Sequence, residues 1–190
     1  YKQEVDTSGN LFWAHQFDQT VMQDSGTGGS MANMSAYGVQ VYAFSDTITF
    51  PGDGYYSITW TECCRNGAII NMANPLGESM TLKTVLTVDS ISASSSPTFL
   101  APPVAYLPAD TTWQYNPLPF DPDGDSLVWS LTTPLHASNV PVTGYVFLDD
   151  SMYSNPNGLF ALDNITGALT WNPSMVGNFV ASFLIEEYRG

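Results

Sequence analysis

The sequence predicts an all-β protein, built as two β-sandwiches in tandem. Three observations carry this. Apolar residues alternate with period two instead of 3.6. β-branched and aromatic residues fill the alternating runs. Gly, Pro, Asn and Asp interrupt them about every ten residues. No stretch of about eleven residues reads as an amphipathic helix.

Taken in order, Gly38–Phe44 places Val39, Val41 and Ala43 on one face. Gly54–Thr61 does the same with Tyr56, Ile58 and Trp60, after a Pro51-Gly52-Asp53-Gly54 turn. Met80–Asp89 aligns Leu82, Thr84, Leu86 and Val88. Ser126–Thr132, Ala168–Asn172 and Asn178–Tyr188 are the strand-like runs of the second half. Between Leu159–Leu162 and Ala168–Asn172, the stretch Asp163-Asn-Ile-Thr-Gly167 reads as a hairpin turn with Gly167 at positive φ. Gln23–Ala36 is small and polar, with one carboxylate, and reads as an exposed connection. Ser92–Pro97 (Ser-Ala-Ser-Ser-Ser-Pro) has no packing capacity, so the domains are placed at 1–95 and 96–190. Each is then immunoglobulin-sized. Pro97, Pro102 and Pro103 confine the first strand of the second domain to a sheet edge.

Composition narrows the function. The 190 residues hold 4 Lys plus Arg against 18 Asp plus Glu, a formal net charge of -14. Such a surface repels phosphate, which argues against nucleic acid and anionic membrane as partners. Charged residues are only 12% of the chain but aromatics are 13%, so the chain has the means to fold that acidic disordered segments lack. No apolar run approaches the roughly 18 residues of a membrane helix, so no membrane insertion is expected. The chain starts at Tyr1 without Met and ends at Gly190 directly after a strand-like run, which reads as a segment of a larger protein. Acidity, scarce Lys and abundant Ser, Thr and Asn lean towards secretion.

The strongest chemical signal is Asp121-Pro-Asp123-Gly-Asp125. Three carboxylates this close repel one another and raise each other's pKa unless a cation intervenes. A hard divalent ion with oxygen ligands resolves the conflict, and Ca²⁺ tolerates irregular geometry. The loop is not an EF-hand, since Ser126 and Thr132 stand where that loop wants Gly and Glu. Glu186 or Glu187 would add an oxygen if the last strand passes nearby. The plainer alternative is ordinary Asp/Pro/Gly turn chemistry.

From Pro97 onwards, Phe120-Asp-Pro-Asp-Gly-Asp-Ser-Leu127, Gly158-Leu-Phe-Ala-Leu-Asp163 and Thr166-Gly-Ala-Leu-Thr170, with Pro173 and Gly177, resemble the cadherin-like or immunoglobulin-like repeats of large bacterial surface proteins. In the first half, Tyr56-Ser-Ile-Thr-Trp60, Cys63-Cys-Arg-Asn66, Ala68-Ile-Ile-Asn71 and Asn74-Pro75 look like the module preceding such repeats in secreted Bacteroidota proteins associated with gliding motility or type IX secretion. The resemblance implies an extracellular, cell-surface, non-catalytic protein that is adhesin-like or fibre-forming. Neighbouring repeats or like subunits would be its partners. A carbohydrate-binding module, with surface glycans as partners, is the competing class.

Cys63 and Cys64 are adjacent, which is neither a metal spacing nor a spaced framework. They are separately buried thiols, a vicinal disulfide or links to other chains; secretion favours the vicinal bridge. Arg65 is expected to pair with a carboxylate. Asp followed by Ser or Thr, then by an apolar residue or Thr, recurs at Thr47, Ser90, Thr111, Ser126 and Ser151, where about one or two such triplets are expected by chance. This resembles the O-glycosylation acceptor of Bacteroidota surface proteins; side-chain-capped turns are the alternative. Sequons occur at Asn33 and Asn164. Catalysis has little support. His15 and His136 lie in different halves, and there is no nucleophile elbow or phosphate loop. The five Trp mostly fall in strand-like runs, where core packing is the expected role.

Overall fold

The computed structural model describes residues 2–5, 11–14, 48–91, 94–101, 103–156 and 158–189. The predicted strand at Gly38–Phe44 and the loop at Gln23–Ala36 lie outside them. The described residues are all-β. They hold strands β1 (Lys2–Val5), β2 (Leu11–Ala14), β3 (Gly54–Glu62), β4 (Met80–Val88), β5 (Thr98–Phe99), β6 (Trp113–Tyr115) and β7 (Pro119–Phe120). Next come β8 (Ser126–Leu131), β9 (Leu135–Ala137), β10 (Val140–Pro141), β11 (Ala161–Leu162), β12 (Leu169–Trp171) and β13 (Phe183–Tyr188). The sole helical turn among them is a 3-10 turn at Pro75–Gly77, started by a proline whose missing N–H costs nothing there.

Backbone packing divides the chain into two units. One takes Tyr1–Trp60 and Leu82–Ala93, the other Thr61–Thr81 and Ser94–Gly190. The last crossing falls inside the Ser-rich stretch where the sequence places a boundary. The excursion of Thr61–Thr81 into the second unit has no counterpart in the sequence reading.

In the first unit β1 and β2 form an antiparallel hairpin, Lys2 opposite Ala14 and Val5 opposite Leu11. β2 runs parallel to β3, Trp13 opposite Ile58. The Pro51–Gly54 turn is held from both sides. Tyr56 donates its hydroxyl to the Gly52 carbonyl at 2.8 Å, and Asp53 accepts from the Ser90 N–H and hydroxyl at 2.9 and 3.1 Å. Tyr56 is buried as its alternation predicts, but Ser57 on the opposite face is buried too, while Ile58 and Trp60 are half-buried.

β4 buries a polar residue at its start. Leu82, on the face shared with Thr84, Leu86 and Val88, is 61% exposed, whereas Thr81 is 5% exposed. Hydrogen bonding decides this. Thr81 lies opposite Leu135 of β9, and its hydroxyl bonds the His136 carbonyl at 2.9 Å and shares a 3.0 Å contact with the Thr61 hydroxyl. A polar residue with all its partners present is cheap to bury.

The second unit contains the sheets β11-β12-β6 and β13-β8, and the ribbon β5-β7. None closes into a barrel. Its core is Leu148, Tyr153, Phe160, Leu169 and Trp171, with Tyr115, Phe179 and Phe183 against it. Trp171 meets Phe179 edge-on at 5.0 Å and Phe160 at 6.0 Å, the arrangement the ring quadrupole favours. Its indole N–H donates to the Ser154 hydroxyl at 2.8 Å, and that hydroxyl donates to the Leu148 carbonyl. Trp129 and Trp171, both buried, therefore take the core role expected of them.

The segment Thr61–Thr81 is fastened by two buried polar residues. Asn71 is fully buried; its amide donates to Val146 and Val180 carbonyls at 3.1 and 2.9 Å and accepts from the Val180 N–H at 3.0 Å. Arg65 donates to the carbonyls of Ser79 at 3.1 Å and Leu135 at 2.9 Å.

The β11–β12 hairpin forms as its turn predicts. Gly167 sits at φ 68°, its N–H donates to the Asp163 carbonyl, and Leu162 faces Leu169. Asp163 Oδ1 accepts from Ile165 and Thr166 N–H at 2.9 and 2.8 Å. The Thr166 and then the Ile165 backbone donors hold its carboxyl below the ordinary 3.8. A lowered folded value means this stabilisation is complete above the unfolded value and lost as pH falls through the folded one. In urea melts the advantage of wild type over Asp163→Asn should therefore be present at neutrality and fade as pH falls through the lowered folded-state pKa. An unchanged advantage in acid would show that the charge plays no part.

Candidate metal centre

The Asp121–Asp125 turn joins β7 to β8, so its far end is fixed by the β8–β13 ladder. Its interior is organised by one carboxylate. Asp121 Oδ1 accepts from the N–H groups of Asp123 at 2.9 Å and Asp125 at 3.1 Å, while Gly124 donates to the Asp121 carbonyl at 3.3 Å. Gly124 supplies φ 80°, which a side chain would resist. The wrap brings one oxygen from each of Asp121, Asp123 and Asp125 within 4.8 Å of one another.

The remaining oxygens have unequal surroundings. Oδ2 of Asp121 and Oδ2 of Asp125 are buried with no hydrogen-bond donor among the described residues. The Asp125 side chain is 7% exposed, and its Oδ2 lies 3.6 Å from Arg189 Nε, an ion pair too long for a hydrogen bond. Asp123 is exposed and accepts from the Ser95 N–H at 2.5 Å. A buried carboxylate oxygen with no donor costs free energy. Two of them beside a third acid match the donor set a hard divalent cation wants. The residues fit such an ion.

Glu186 stands elsewhere in the arrangement. It pairs with Val128 in β13, and the grouping among the described residues consists of the three Asp. Its neighbour Glu187 accepts from the Ser94 hydroxyl at 2.8 Å.

Cys63 and Cys64 follow the last rungs of β3, are exposed, and are joined to each other as a vicinal disulfide. Arg65, next in the chain, is buried. It spends its donors on backbone carbonyls instead of the expected carboxylate, and that burial lowers its pKa, with Glu78 and then Tyr145 acting the other way. Glu78 pairs with His136 Nδ1 at 2.9 Å, a nitrogen that also lies 3.1 Å from the Ser79 N–H. Burial, reinforced by Asp149, pushes Tyr145 up to about 12, and its hydroxyl donates to the Val180 carbonyl. These contacts tie chain segments together.

Of the Asp-Ser/Thr positions, Ser90, Thr111, Ser126 and Ser151 are exposed, and Thr47 lies outside the described residues. Asp89 caps the Ile91 N–H and Asp150 the Met152 N–H, each at 2.8 Å, so Ser90 and Ser151 sit at the apex of side-chain-capped turns. Asn164 is exposed in its hairpin; Asn33 and His15 lie outside the described residues. Asn71 and Ser154 have no signature in the sequence, because a buried amide or hydroxyl leaves no local pattern. No helix among the described residues is long and apolar enough to cross a membrane.

Comparison of the chain with protein-family models, with curated proteins and with solved structures finds no match in any of the three.

Proposed function

We propose that the chain is a non-catalytic structural and adhesive module of a large extracellular surface protein of the Bacteroidota type, acting as a repeat or a fibre-forming subunit. In this reading its two parts are immunoglobulin-like or cadherin-like sandwiches in tandem, and its partners are neighbouring repeats or like subunits. The observation that supports it most is the acidic turn. Two buried carboxylate oxygens without donors lie at the mouth of the longest ladder in the second unit. Asp121, Asp123 and Asp125 would hold Ca²⁺. The ion would cancel the repulsion of the three acids and fix the entrance to β8. Such a bolt suits a module whose work is to hold its shape. Exposed Ser90, Thr111, Ser126 and Ser151, with Thr47, would carry glycans, as the resemblance implies.

Thermal melts with added CaCl₂ and with EDTA test the ion. At calcium about 100-fold above Kd, binding to the folded state stabilises by about 2.7 kcal/mol, a rise of several degrees. Asp121→Asn should remove the rise while leaving the EDTA melt nearly unchanged. No shift at millimolar calcium would sink the metal reading.

One observation favours carbohydrate binding as the second reading. Phe120, 57% exposed, directly precedes Asp121, so an aromatic face and a candidate cation site adjoin. Binding on a glycan array that chelation abolishes would favour it over the structural role.

A further inference from the structure

β13 shares with β8 the longest strand edge that the second unit leaves without a partner strand among the described residues. It pairs with β8 over six rungs, from Phe183 opposite Leu131 to Tyr188 opposite Ser126. Its other side meets no strand among the described residues. On the far side of β8 the Trp129 N–H already donates to the Asn164 carbonyl at 2.8 Å, so that edge is partly taken, and the remaining edges of this unit are poor templates. β5, β7, β10 and β11 have two residues each, β6 has three, and β7 and β10 contain proline. β13 has six residues and neither Pro nor Gly. Its inward residues are also incompletely covered. Phe183 meets Trp129 edge-on at 6.0 Å, yet Phe183 and Ile185 are half-buried, and Leu184 and Tyr188 on the other face are 50% and 53% exposed. An added strand would bond the open backbone groups and cover both apolar rows together.

We propose that the free edge of β13 accepts an extended segment of a neighbouring polypeptide, apolar at alternate positions and carrying Lys or Arg opposite Glu186. Charge selects that occupant. Two carboxylates, Glu186 and Glu187, stand on adjacent rungs, and a protein of net charge -14 repels its own copies. Like charges placed opposite across a ladder are destabilising, whereas a basic residue there gains a cross-strand pair. Self-pairing of β13 with β13 is thus disfavoured, and a heterologous strand is favoured. Main-chain bonds supply the affinity, and the basic residue supplies register. This rests on the part of the proposed role that joins neighbouring repeats, not on association of like subunits, and it names the edge that does the joining.

The test is amide hydrogen exchange of β13 in dilute protein, with and without a capped peptide of about ten residues alternating Val and Thr around one central Lys. Alone, the β13 amides bonded to β8 should exchange slowly and the alternate ones fast. The peptide should slow the alternate set about tenfold or more, and the same peptide with a central Pro should not. Glu186→Lys should lose this protection with the Lys peptide and recover it with a central Glu. Three results would overturn the proposal: alternate amides already slow in dilute protein, protection indifferent to the charge swap, or protection that rises with protein concentration and needs no peptide, which would make the occupant a second copy. The exchange buffer contains no calcium, so failure of strand capture is distinguishable from failure of the calcium melt.

Discussion

Replacing Asn71 with Ala is expected to cost the second unit about 3–4 kcal/mol, a fall of roughly 1.5–2 M in its urea midpoint. The side chain is fully buried and makes three hydrogen bonds, to the Val146 carbonyl, the Val180 carbonyl and the Val180 N–H. Truncation leaves the Val146 carbonyl and the Val180 N–H without this partner in a place water reaches poorly, while the Val180 carbonyl keeps the Tyr145 hydroxyl. That penalty, instead of the modest net worth of each bond, sets the size of the effect. Asn71→Asp should be at least as damaging, because a carboxylate cannot donate to two carbonyls and would be buried as a charge. A loss below about 1 kcal/mol would mean that Thr61–Thr81 is not held by this residue.

Gly167→Ala should also be severe, and a second glycine separates its two causes. At φ 68° any side chain meets backbone strain of about 1–2 kcal/mol. In addition, a Cβ at this position would lie 2.6 Å from the Trp129 indole. That ring cannot easily retreat, being 4% exposed and braced edge-on by Phe99 and Phe183. Overpacking of this kind adds about 1–3 kcal/mol. Gly124 shares the strained backbone at φ 80° but has nothing within 4 Å of its would-be Cβ. Gly124→Ala should therefore cost about 1–2 kcal/mol and Gly167→Ala about 2–5. Trp fluorescence should shift in the second variant only. Equal losses would remove the packing argument.

How much of the fold is legible in the sequence follows from the range of the forces involved. The Asp163–Gly167 hairpin and the Asp121–Asp125 turn are written in consecutive residues, since a carboxylate capping the next few N–H groups is a local event. Alternation groups Leu82 with Thr84, Leu86 and Val88 on one face of β4, but it does not say which face a neighbour will cover. The neighbour is β9, more than fifty residues further on, and Thr81 takes the inner position through the His136 carbonyl. Charge alone draws Glu186 towards the acidic turn, but β13 enters the ladder in a register that sets it opposite Val128. Arg65 calls for an acid by its chemistry, yet its guanidinium reaches the carbonyls of Ser79 and Leu135.

By itself the sequence determined the all-β character, the places where the chain turns and the cluster of three acids. These depend on side-chain alternation, on glycine and proline dihedrals and on charges a few residues apart. Tertiary structure decided that Thr61–Thr81 joins the second unit and that, among the described residues, two of the clustered carboxylate oxygens are buried without donors and one edge of β13 has no partner strand. Each of these is a matter of which distant backbone arrives to satisfy or cover a group, and no period within a single strand encodes that.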